Sequence, residues 1–128
     1  MKLKTTGIDH LNLRVENLEE SVKFYHDLLG FKVLKEQPEE NSKIIGNERA
    51  KLCLYETPGF RRPDKTNLGH FCLQIENFKD IVNKCHEMGI TIEYGGKTFV
   101  WEHSRSVYIV DPNGYEIEFA EVWGGGLD

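Results

Sequence analysis

The sequence predicts an α+β fold made of two βαβββ modules, and three observations carry that expectation. The segment starting at His10, HLNLRVENLEESVKFYHDL, is written again from His70 as HFCLQIENFKDIVNKCHEM. Each copy opens on a stretch of period-two alternation and continues into a stretch of helical periodicity, and each copy ends in further short apolar runs. Asp111-Pro112-Asn113-Gly114 is a tight-turn sequence of the kind that joins two antiparallel strands. A repeat of this kind sets the architecture, because each copy is one supersecondary unit. The expected organisation is a single domain over residues 1–128, made of modules 8–56 and 68–122.

The first expected strands are Ile8–Val15 and Leu68–Glu76. In the first, Leu11, Leu13 and Val15 share one face, and His10, Asn12 and Arg14 share the other. In the second, Phe71, Leu73 and Ile75 oppose His70, Cys72 and Gln74. Alternation of this kind buries one face and leaves the other polar, and both histidines fall on the polar one.

A helix follows in each module. Asn17 and Asn77 are expected N-caps, with Glu20 and Asp80 three residues on in a near capping-box pattern. Leu18, Val22, Tyr25 and Leu29 form the first apolar stripe, and Phe78, Val82, Cys85 and Met88 the second. Gly30 and Gly89 are expected to end the helices. His26 and His86 fall off these stripes and are read as exposed. The remaining strand candidates of the first module are Phe31–Glu36, Lys43–Gly46 and Ala50–Glu56. Those of the second are Ile90–Tyr94, a weaker one near Thr98–Trp101, then Val107–Val110 and Tyr115–Val122. Thr57–Asn67 is read as the linker and Gly124-Gly125-Gly126 as a mobile tail.

Composition excludes several function classes. With 128 residues the chain is long enough for a core without disulfide staples. A formal net charge of −5 and the lack of a basic run argue against a nucleic-acid partner. No apolar stretch reaches the length of a membrane span, so no membrane partner is expected. The N-terminal Met-Lys-Leu-Lys-Thr-Thr-Gly has no apolar signal-peptide core. Cys53, Cys72 and Cys85 are odd in number and show no C-x-x-C spacing, as in a reduced cytoplasmic protein. The expected location is the cytoplasm.

The chemistry is expected where the histidines lie. In Tyr115-Glu116-Ile117-Glu118-Phe119-Ala120, Ile117 and Phe119 should face the helix, which puts Glu116, Glu118 and Ala120 on the histidine face. A desolvated, unpaired carboxylate costs several kcal/mol, and a metal ion removes that penalty. A single strand histidine is usually a half-buried polar residue and a single strand glutamate is usually solvated. Two histidines on equivalent strands, with a glutamate on a third, are not so easily explained. Two imidazoles and one carboxylate with open positions suit iron, manganese, nickel or zinc.

These residues resemble the vicinal-oxygen-chelate superfamily, which includes glyoxalase I, extradiol dioxygenases, fosfomycin-inactivating thiol transferases and bleomycin-resistance proteins. The resemblance rests on His10-x-x-Leu13-x-Val15, Leu18-x-x-Ser21-x-x-Phe24-Tyr25, Leu29-Gly30-Phe31, Gly69-His70 and Asp111-Pro112-Asn113-Gly114-x-x-Ile117-Glu118. It spans Ile8 to about Glu121. It implies a glyoxalase-like fold, with paired βαβββ modules whose mostly antiparallel strands form a cup around one divalent metal. It assigns His10, His70 and Glu118 as metal ligands.

Aligning Leu52-Cys53-Leu54 with Ile117-Glu118-Phe119 sets Cys53 where glyoxalase I carries a further glutamate. That puts the four-ligand isomerase in doubt, and Glu56 falls on the opposite strand face. Tyr108, on the parity of Ser106 and Val110, is the candidate catalytic residue, as hydrogen-bond donor or general acid. Cys53, Arg105 and His103 are the substrate-binding candidates. The expected function is a metal-dependent enzyme acting on a small vicinally oxygenated substrate, with a dioxygenase-like, three-ligand site favoured. A glyoxalase I-like lyase or isomerase, a thiol transferase conferring antibiotic resistance and a ligand-sequestering protein stay open. The small-molecule substrate is expected to bind a homodimer, with each site composed of residues from both chains, as in similar small enzymes.

Overall fold

The computed structural model describes residues 1–60 and 68–127. The chain divides into two compact units, Met1–Phe60 and Arg61–Asp128. Of the expected linker Thr57–Asn67, residues 61–67 lie outside the described residues. No helix among the described residues is long and apolar enough to cross a membrane.

The first unit runs β1 (Leu11–Val15), α1 (Leu18–Leu29), β2 (Lys32–Gln37), β3 (Ser42–Gly46) and β4 (Lys51–Glu56). Its sheet has the order β1-β4-β3-β2, with β1 parallel to β4 and the other pairs antiparallel. The sheet is therefore mixed, antiparallel in two of its three pairings. Leu13, Val15, Leu52 and Leu54 are buried on the side that receives α1. The Asn17 side chain accepts the Glu20 N–H at 2.9 Å, so this N-cap forms as expected. The Glu56 carboxylate accepts the Leu18 N–H at 2.9 Å and adds a second, tertiary cap to the same helix end. Gly30 closes the helix at φ 70°, a left-handed conformation that favours glycine. The buried stripe is Leu18, Ser21, Tyr25 and Leu28, so Val22 and Leu29 sit at its margin and not at its centre.

The second unit runs β5 (Phe71–Gln74), α2 (Ile81–Met88), β6 (Phe99–Val100), β7 (Arg105–Val110) and β8 (Glu116–Ala120). Its order, β5-β8-β7-β6, repeats that of the first unit, again with the first and last strands parallel. Leu73 is half-buried, while Phe71, Val107, Ile109, Ile117 and Phe119 are buried. The Asp111–Gly114 turn forms as expected. Asp111 Oδ1 accepts the N–H groups of Asn113 and Tyr115, both at 2.9 Å, and the Gly114 N–H reaches Asp111 O at 3.1 Å.

Three expectations fail in this unit. Asn77 makes no side-chain cap; a 3-10 turn over Phe78–Asp80 precedes the helix. That turn shifts the helix register, so Ile81 is buried with Phe78 and Cys85, and Val82 is exposed. Ile90–Tyr94 is not a strand. Tyr94, Gly95 and Gly96 take positive φ values of 58°, 70° and 79°, which bend the backbone away from an extended course. The weaker candidate near Thr98–Trp101 supplies β6 instead. Gly124–Gly126 forms successive tight turns and packs against His103, where a Cβ on Gly126 would fall 2.6 Å from the His103 Cβ.

Candidate functional site

The geometry of the second unit follows from the register of its parallel pair. Phe71 lies opposite Ile117 and Cys72 opposite Glu118, while Tyr108 on β7 also faces Glu118. Side chains at paired positions share a face, so His70, Cys72, Tyr108, Glu116 and Glu118 stand on the side opposite the helix.

His70 lies between two carboxylates. Its Nε2 is 2.9 Å from Glu118 Oε1, and its Nδ1 is 3.6 Å from Glu116 Oε2. The first is a hydrogen-bonding distance and the second a looser electrostatic contact. Glu116 is buried, at 4% exposure, and its other oxygen accepts from the Tyr94 hydroxyl. Ser106 Oγ donates to Glu118 Oε2 at 2.6 Å, and the Trp101 indole donates to Ser106 Oγ at 2.8 Å. The Tyr108 ring meets His70 edge to face at 5.4 Å and packs against Tyr94 and Phe99. Burial, and then the negative charge of Glu118, push the Tyr108 phenol up to about 12. At neutral pH it is a hydrogen-bond donor and not a phenolate. The same two causes, in the same order, raise the Cys72 thiol to about 11.

In the first unit, Asn12 lies opposite Cys53, as Cys72 lies opposite Glu118 in the second. Cys53 therefore occupies the position equivalent to Glu118. It is buried, with its sulfur 3.8 Å from Ser42 Oγ and 3.9 Å from Gln37 Oε1. Glu56 is turned to the helix side as the cap on α1, so it adds no carboxylate beside Cys53. His10, just ahead of β1, is exposed and held to Asp9 at 2.7 Å. This partner lowers the Asp9 carboxyl, first by its hydrogen bond and then by its charge.

Of the expected site residues, the second unit brings together His70, Glu118 and Tyr108. Arg105 lies on the other side of the sheet, paired with Glu121 at 3.0 and 2.6 Å and placed over the Phe78 ring. His103 is on the exposed loop between β6 and β7, 3.5 Å from Glu102. Tyr94 and Trp101, which tie the site together, are not found by sequence reasoning. The signal available for Trp101 is its alternation with Phe99, which extends the face of β6.

Among the described residues no cluster of three or more His, Cys, Asp or Glu side chains is gathered to hold a metal. The donor set of the second unit nevertheless fits a divalent ion. An imidazole nitrogen and a carboxylate oxygen converge, and a second carboxylate adds negative charge behind them.

Comparison with known proteins identifies the family. The Glyoxalase/Bleomycin resistance protein/Dioxygenase superfamily pattern matches residues 7–119. The chain belongs to this superfamily. It is 30% identical over 119 residues to a catechol-2,3-dioxygenase of Bacillus subtilis, covering 88% of this chain but only 40% of that protein. It is also 30% identical over 132 residues to a lactoylglutathione lyase of Salmonella typhimurium, covering 91% of this chain and 93% of that one. A fosfomycin resistance protein from Listeria monocytogenes superposes with a TM-score of 0.77 over 97% of this chain and 98% of its own, at 16% identity, which speaks for the fold alone. The superfamily therefore includes dioxygenase and lyase relatives of this chain at low identity.

The raised thiol pKa predicts slow alkylation of Cys72, although part of the residue reaches solvent. At pH 8 the metal-free native protein should react with iodoacetamide at Cys72 about tenfold more slowly than at an unperturbed cysteine. The smaller thiolate fraction is offset in part by higher intrinsic nucleophilicity. Peptide mass mapping against the guanidinium-unfolded protein measures this, and equal rates in the two states contradict the assigned environment.

Proposed function

We propose that the protein is a divalent-metal-dependent enzyme in which His10, His70 and Glu118 bind one ion of iron, manganese, nickel or zinc. The observation that carries this reading is the convergence of His70 Nε2 and Glu118 Oε1, with Tyr108 beside them on one sheet face. The repeat supplies the third residue, since His10 precedes β1 as His70 precedes β5. A bound ion would act as a Lewis acid toward adjacent oxygens of a small substrate. Tyr108, a neutral phenol beside His70, would donate a hydrogen bond to a developing substrate oxyanion.

Three protein ligands leave positions open for a vicinally oxygenated substrate. Cys53 in place of a carboxylate, with Glu56 committed to α1, supports the three-ligand reading and hence dioxygenase-like chemistry. A lyase or isomerase is the second reading, supported by the near full-length match to a lactoylglutathione lyase. The two separate by assay. Protein reconstituted anaerobically with Fe(II) should consume oxygen when catechols are added. Turnover of a methylglyoxal–thiol hemithioacetal by the nickel or zinc form, without oxygen uptake by the iron form, would favour the lyase. Failure of both, with tight ligand binding by metal-free protein, would favour a sequestering protein. The unpaired Cys53, Cys72 and Cys85 support a reducing, cytoplasmic setting for any of these.

We further propose a symmetric homodimer with two composite sites, each joining His10 of one chain to the partner's His70 and the partner's Glu118. Both β1 and β5 are edge strands within their own sheets, and pairing such edges removes an aggregation hazard. After subunit exchange between His10→Ala and Glu118→Ala proteins, the mixture should regain one metal site per heterodimer. Exchange confirmed by mass, with no metal regained, would mean that each chain builds its own site.

A further inference from the structure

The side chains behind Glu118 fix which of its oxygens is on offer. An indole N–H can only donate, so Ser106 Oγ accepts at 2.8 Å from Trp101. The single hydroxyl proton of Ser106 is then directed to Glu118 Oε2, at 2.6 Å. Ser106 is 1% exposed, so water does not compete for that hydroxyl. With Oε2 engaged, Oε1 is the oxygen that faces His70 Nε2. Free rotation is what an isolated serine hydroxyl retains; here the indole removes it.

We propose that Ser106, with its rotation set by the Trp101 indole, is a positioning residue that presents Glu118 to a metal through Oε1 alone. The inference rests on the reading of His10, His70 and Glu118 as ligands. A carboxylate that binds through one oxygen occupies one coordination position and not two, which leaves room for a chelating substrate. On the far side of His70, the Tyr94-held Glu116 lies 3.6 Å from Nδ1, a negative charge that favours the ring orientation with Nε2 toward Glu118.

Cobalt(II) is the probe, because its visible absorption reports ligand number and its affinity is measured by chelator competition. Ser106→Ala should weaken cobalt binding about tenfold, as loss of an outer hydrogen-bond partner of a ligand does, and should alter the visible spectrum. Ser106→Thr, which keeps the hydroxyl, should restore both. Trp101→Phe, which removes only the indole donor, should shift the spectrum in the same direction by less, and it decides the matter if Ser106→Ala does not fold. Wild-type affinity and spectrum in Ser106→Ala, with cobalt lost from Glu118→Ala, would overturn the role of Ser106 and leave the ligand reading intact. Weakened binding with an unchanged spectrum would make Ser106 a structural residue and overturn the proposal. Wild-type cobalt binding by Glu118→Ala would overturn the ligand reading and this inference with it.

Discussion

The parallel pairing of the first and last strands in each unit is the constraint on which the site depends. The β5–β8 register sets Phe71 against Ile117 and Cys72 against Glu118. It brings His70 within 2.9 Å of Glu118 although the two are far apart in the chain. Strand side chains alternate with a period of two, so a slip of one residue would turn Glu118 into the core and Ile117 or Phe119 into the site. The fully buried Ile117 and Phe119 oppose that slip, because exposing either would cost about 1.5–3 kcal/mol. The core of the second unit thus holds the chemical face in place without contributing an atom to it.

The same register makes the two units unequal. At one position the second unit carries a carboxylate and the first carries a buried thiol, Cys53. Glu56, the nearest carboxylate in sequence, is spent on the amino end of α1, where an acceptor satisfies an otherwise unpaired N–H and complements the helix dipole. The two units repeat one strand order, and at this position the second carries the carboxylate. An open, three-ligand site is the chemical consequence proposed for that asymmetry. Tyr108 belongs to the same half, and its raised phenol pKa is a product of burial and of Glu118 together.

Much of this was legible in the residues because it is governed by local rules. The alternation Leu11–Leu13–Val15 reports which face of β1 is buried, and the same pattern orients β5 and β8. Asn17 and Gly30 bound α1 as their side chain and backbone freedom dictate. Apolar runs mislead where a turn outweighs them. Ile90–Tyr94 looks like a strand, but Gly95 and Gly96 allow a left-handed bend that Tyr94 joins at φ 58°, with its hydroxyl anchored on Glu116. Asn77 resembles Asn17 in sequence, yet a 3-10 turn takes its place as the lead-in to α2. Arg105, a substrate-binding candidate by sequence, has the parity of Val107 and Ile109 and binds Glu121 on that side of the sheet. The Trp101–Ser106–Glu118 chain depends on how β6 pairs with β7, a tertiary fact that no local pattern encodes.

The proposed site holds one divalent ion on His10, His70 and Glu118. Anomalous X-ray scattering from crystals of the protein loaded with a single metal, recorded on both sides of that metal's absorption edge, tests it most directly. The expected result is one strong anomalous peak for each site, with a nitrogen of His10, a nitrogen of His70 and an oxygen of Glu118 at about 2.0–2.2 Å. A peak bound by other side chains, or a loaded protein in which Glu118 still binds His70 and no peak lies beside them, would contradict it.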